Sequence, residues 1–180
     1  MIPSKMLFAL ALALAPLPAL PAWAQAPQAG QAPQAGQAAP APVTIGDIVI
    51  SGAFTRATLP HAPVGGGFFT LTNKGSVDDV LVSAQADFAG ATQIHQMQMQ
   101  GDVMKMSPLA DGLVIPAGQS VTLAPGGYHL MFMGLKTPLV EGETVPVTLN
   151  FARAGSIRVT LAVAGTAADA PAEAMRHEEH

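Results

Sequence analysis

Six of the nine methionines of this 180-residue chain, and two of its five histidines, fall between residues 95 and 133. Methionine has no advantage in a strand, where Val, Ile and Thr are favoured, so a local surplus requires a reason. Thioethers bind hard or borderline cations weakly and suit Cu(I), while imidazole suits copper in either oxidation state. A set of His and Met without carboxylates makes a poor zinc or calcium site. The chemistry these residue types favour is soft-metal binding, with copper the leading candidate.

Strand alternation would gather them. In an extended strand, residues i, i+2 and i+4 share a face. His95, Met97 and Met99 therefore line up in Ile94-His-Gln-Met-Gln-Met99, with Gln96 and Gln98 opposite. Met104 and Met106 share a side of Met104-Lys-Met106, and His129, Met131 and Met133 share one in His129-Leu-Met-Phe-Met133. Three segments thus each present His or Met in register.

The elements around them read as strands throughout. Short alternating apolar runs occur at 44–50, 68–72, 80–82, 121–123, 128–132, 145–151 and 157–163. Turn residues separate them at Gly65-Gly66-Gly67, Asn73-Lys74-Gly75, Leu109-Ala-Asp-Gly112, Pro116-Ala117-Gly118, Pro125-Gly126-Gly127 and Glu141-Gly142. No window of helical period competes, and short strands at this spacing predict an all-β sandwich or barrel.

The ends have a different character. Residues 1–24 place Lys5 before an apolar run and finish in Ala22-Trp-Ala24, the order of a cleaved secretory signal. The apolar run is shorter than the roughly 20 residues a membrane-spanning helix needs. The expectation is export to the periplasm, with no membrane insertion after cleavage. Residues 25–42, built only from Gln, Ala, Pro and Gly, should be a flexible linker. That leaves one domain at 43–165 and a flexible tail at 166–180. The tail's Met175, His177 and His180 could offer a weaker second site for Cu(II), harder than the main set; its carboxylates read first as a solvated charged end.

Several functions are excluded. The formal net charge of −4 offers no basic face for nucleic acid or an anionic membrane. No cysteine occurs, so a blue-copper electron-transfer centre, which needs a Cys thiolate beside two His, cannot form. No Ser-His-Asp set, paired-carboxylate motif or HExxH appears, and the only acid close to the cluster is Asp102. The chain is not expected to be an enzyme.

With these residues in view, the chain resembles the periplasmic PCuAC-type copper chaperones (DUF461). The resemblance runs from Phe54-Thr-Arg-Ala57 through Asn73-Lys-Gly75 to Gly142. It is densest in Gly101-Asp-Val-Met-Lys-Met106, Ile115-Pro-Ala-Gly118 and Pro125-Gly-Gly-Tyr-His-Leu-Met-Phe-Met-Gly-Leu135. The family pattern is a His, ten residues, a Met, about twenty-one residues, then His-x-Met. Here ten residues separate His95 from Met106, and twenty-two separate Met106 from His129-Leu-Met131. The surplus residue falls in the turn at Leu109–Gly112, and Phe54 stands where the family commonly has Trp.

The resemblance implies a cupredoxin-like β-sandwich, a Greek-key barrel, that binds Cu(I) through His95, Met106, His129 and Met131. It also implies delivery to a copper-accepting protein, such as a cytochrome c oxidase subunit or another copper chaperone. Met97, Met99, Met104 and Met133 are read as core gap-fillers that form a soft apolar rim, and His61 as a solvated loop residue. Two rivals stand beside this reading: a periplasmic copper buffer or resistance protein, and a β-sandwich interaction module whose His and Met merely pack.

Overall fold

The computed structural model describes residues 40–171. The signal, most of the linker and the tail residues Met175, His177 and His180 lie outside the described residues.

Eleven strands make up the described chain, and no helix is found among its residues. They are β1 (Val43–Ile45), β2 (Ile48–Arg56), β3 (Val64–Asn73), β4 (Asp79–Gln85), β5 (Ala89–Gln100) and β6 (Val103–Pro108). After them come β7 (Leu113–Ile115), β8 (Ser120–Leu123), β9 (Tyr128–Leu135), β10 (Thr144–Phe151) and β11 (Gly155–Ala164). The hydrogen-bonded order is β6-β5-β9-β8-β3-β2-β11-β10-β4-β7, with β1 added beside β2. Pairing is antiparallel except between β11 and β2 and between β8 and β9. β3 also pairs with β9, which curls the sheet around one core. The sandwich expected from the strand pattern is present.

Alternation builds that core. Leu71 from β3, Leu81 from β4, Leu130 and Phe132 from β9, Leu149 from β10 and Leu161 from β11 are each fully buried in it. Burying each side chain contributes roughly 1.5–3 kcal/mol. In β2 the phase changes. Ser51 pairs with Thr70 but Phe54 with Phe68, so one extra residue enters the strand, and Gly52 takes a φ of 61° there. This bulge inverts the alternation after Ile48 and Ile50. Phe54 consequently leaves the main core and stacks on Phe68 at 5.0 Å between ring centroids, in a second cluster with Ala164 and Ala168.

Two local expectations are corrected. Gly65-Gly66-Gly67 is not a turn but the start of β3. A Cβ on Gly67 would lie 2.8 Å from the Phe132 ring, and one on Gly66 would lie 2.9 Å from the Phe68 ring. Glycine is needed there for close packing inside a strand. Residues 166–171, read as the start of a flexible tail, lie against the domain. Arg56 donates from Nε to the Ala168 carbonyl at 2.7 Å and pairs with Asp169 at 2.6 Å.

Elsewhere, a buried carboxylate secures a corner. Asp79 accepts from the backbone N–H groups of Val80, Arg153 and Ala154 at 2.8–2.9 Å, tying β4 to the turn between β10 and β11.

Candidate metal centre

Register decides which side chains meet. Between β5 and β9, His95 lies directly opposite His129, Gln93 opposite Met131 and Ala91 opposite Met133. Between β5 and β6, Met97 lies opposite Met106 and Met99 opposite Met104. Directly paired residues point to the same face. The ribbon β6-β5-β9 therefore carries both histidines and all six of these methionines on one face. Its other face carries Ile94 and Leu130, which are buried in the core.

The turn that sets this register is Gly101-Asp102, a two-residue loop closed by the Gln100–Val103 pair. Gly101 adopts a φ of 64°, as the first central residue of a Gly-X hairpin turn must. Every pairing further down the hairpin follows from it.

His95 and His129 are each only 8% exposed, with ring centroids 5.8 Å apart. His95 donates from Nε2 to the Gln93 side-chain oxygen at 2.9 Å. Its Nδ1 is buried and has no hydrogen-bond partner among the described residues. His129 donates from Nδ1 to the Gly127 carbonyl at 3.2 Å, which leaves its Nε2 as the lone-pair nitrogen. Burial, and next the neighbouring His129, hold the His95 imidazole below its ordinary pKa. His95 is therefore favoured in the neutral form that a metal requires. A second partner that fixes the tautomer, as Gln93 and Gly127 do here, is the usual support of a metal-binding histidine.

The thioethers divide by exposure. Met131 is half-buried, two residues along β9 from His129, and diagonal to His95. Met106 is 45% exposed on β6, the edge strand, and diagonal to His95, whose direct partner there is Pro108. All four expected ligands thus lie on one face within two positions of the histidine pair. Met97 lies as near, half-buried beside His95 and directly opposite Met106. Met99 and Met104 are 62% and 52% exposed, so neither fills a core gap as expected. His61 is exposed in its loop, with a φ of 63°.

Among the described residues no three His, Cys, Asp or Glu side chains gather into a metal-sized group, so a metal at the histidine pair would draw its remaining ligands from the thioethers. Two groups escaped the sequence reading: the Gln93 side chain and the Gly127 carbonyl. Gln93, two residues before His95, could have been found by the same alternation that aligned the methionines.

Comparison with known proteins shows the family and the fold that this chain shares. The model of the LpqE-like lipoprotein family matches residues 48–163. Lxx21020 of Leifsonia xyli subsp. xyli (strain CTCB07), named as a lipoprotein, is 36% identical over 96 residues, or 53% of this chain and 58% of that protein. The match thus spans little more than half of that relative. The solution structure of the Cu(I) form of DR1885 from Deinococcus radiodurans is 32% identical with a TM-score of 0.54, covering 74% of this chain and 85% of that one. The copper-bound PCuAC domain from PmoF2 is 22% identical with a TM-score of 0.59, covering 69% of this chain and 98% of that domain. The PmoF2 likeness speaks for the fold alone: a single cupredoxin-like β-sandwich.

Proposed function

This chain belongs to the LpqE-like, PCuAC-type family, and from that premise we propose that it is an extracytoplasmic copper chaperone. Its cargo is Cu(I), held by His95, Met106, His129 and Met131 and passed to the copper centre of a cytochrome c oxidase. The observation that carries the proposal is the histidine pair, buried side by side with one unprotonated nitrogen each and flanked on the same face by thioethers. That donor set suits Cu(I) and discriminates against hard cations. The Cu(I) bound to DR1885 supports the same cargo.

The uneven burial suits a carrier. The histidines retain the ion, while Met106 stands on an edge strand where an acceptor's ligand can displace a weak thioether. Release then proceeds by stepwise ligand replacement, with no redox change at any ligand of this chain. The four ligands form or release only coordinate bonds, so the chain acts as a carrier and not as an enzyme. The leader at 1–24 would direct export, with cleavage after Ala24, and the 25–42 linker would tether the copper domain. Met175, His177 and His180 would hold Cu(II) more weakly.

Delivery is tested by deleting the gene. A chaperone deletion lowers oxidase activity at low copper and is rescued by added copper. Normal oxidase activity at low copper, with poor growth at high copper, would assign the chain to buffering instead.

A further inference from the structure

The β5–β6 hairpin reaches past the histidine pair with its two faces chemically divided. One face carries Gln96, Gln98, Gln100, Lys105 and Ser107 with Val103, a mostly polar surface on which Lys105 Nζ reaches the Gln100 side-chain oxygen at 3.5 Å. The other carries only Met97, Met99, Met104 and Met106, paired two against two across the strands. Three of these four are more than 40% exposed, on the edge of the sheet.

Edge strands are ordinarily protected by charge, proline or a bulge, and strands favour β-branched residues over methionine. A solvated stripe of thioethers offers neither protection nor packing. It offers soft donors. Direct cross-strand partners hold their Cβ atoms about 4.5–5.5 Å apart, and each methionine has three rotatable bonds beyond that point. Sulfurs from Met99 and Met104, with Met97 next along the strand, can therefore converge on one ion without moving the backbone.

We infer that Met99 and Met104, completed by Met97, form a second soft-metal site at the outer end of the hairpin, distinct from the set built on His95 and His129. It takes a monovalent d10 ion, Cu(I) or Ag(I), through thioethers alone. The histidine pair lies at the inner end of the same ribbon, so the chain binds two such ions in series. The natural ion and the count of two rest on the chaperone reading; the outer site itself does not.

The test is an anaerobic Ag(I) titration of the full chain carrying [methyl-13C]methionine, followed by NMR and by native mass spectrometry. About two ions per chain are expected to bind. The first shifts the Met106 and Met131 methyls; the second shifts those of Met99 and Met104. The Met99→Leu/Met104→Leu double variant, which keeps the apolar volume, should stop at about one ion and retain the first step. Met99 and Met104 methyls unmoved at saturation, whether at one ion or two, would overturn the inference. Movement of Met99 and Met104 with Met106 and Met131 unmoved would instead uphold the outer site and refute the inner ligand set.

Discussion

His95 on β5 and His129 on β9 are direct cross-strand partners on the outer face of the sheet, yet both are almost fully buried, with ring centroids 5.8 Å apart. Burial, and next the neighbouring His129, hold the His95 imidazole below its ordinary pKa. His95 is consequently ready to take a metal without first giving up a proton. The supports of the pair are unequal: a side-chain amide for His95 and a main-chain carbonyl for His129.

Gln93 accepts the Nε2–H of His95 and leaves Nδ1 as the free nitrogen. Gln93→Leu should therefore weaken Cu(I) binding roughly 10–100-fold, the range for losing such a support. Nitrogen-15 NMR of the metal-free variant should show the His95 tautomers mixing. Unchanged affinity with an unchanged tautomer would remove Gln93 from the site.

Because the folded state holds His95 below its ordinary pKa, the unfolded chain binds more protons as the pH falls from about 6.5 to the lowered folded-state value. Stability should thus rise with pH through that window, level off above it and decline on acidification. Urea midpoints of the metal-free protein at pH 7.5 and 5.5 measure this. His95→Phe should shrink the difference between the two, and a difference of unaltered size would contradict the assignment.

Gly67→Ala places a methyl against the Phe132 and Leu161 side chains in the core. Overpacking of this kind costs about 1–3 kcal/mol, measurable as a lowered urea midpoint with an unchanged slope. Neutral behaviour would mean that β3 and β9 separate more easily than their packing implies.

Asp79→Ala strips three backbone N–H groups of their acceptor and should cost roughly 1–3 kcal/mol. Asp79 lies on β4, which pairs with β10 and β7 and with none of the His- or Met-bearing strands. Cu(I) affinity should therefore persist in the folded variant. A parallel loss of affinity would show that the metal face depends on that corner.

Which residues share a face was legible in the sequence, because alternation is a local property of a strand. Which residues oppose each other was not. The ten-residue spacing of His95 and Met106 leaves their pairing open until the turn is placed at Gly101-Asp102, whereupon Met97, and not His95, faces Met106. Gly-Asp is a hairpin signal, but the sequence reading drew no turn from it. Non-local packing hid the rest. Gly65–Gly67 resembles a turn until the rings of Phe68 and Phe132 occupy the space above it, and Asp169 resembles tail until Arg56, 113 positions away, binds it. The exposure of Met99 and Met104 follows from β6 being an edge, a fact of sheet order that no local pattern encodes.

The central claim, that His95, His129, Met106 and Met131 hold Cu(I), is tested most directly by competition against a chromophoric Cu(I) chelator. Folded His129→Ala and Met106→Leu variants are compared with Met133→Leu, a thioether on the same face outside the proposed set. The account predicts that His129→Ala and Met106→Leu each lose affinity by about tenfold or more, a coordination loss of at least about 1.4 kcal/mol, while Met133→Leu keeps it. Unchanged affinity in both His129→Ala and Met106→Leu would contradict it.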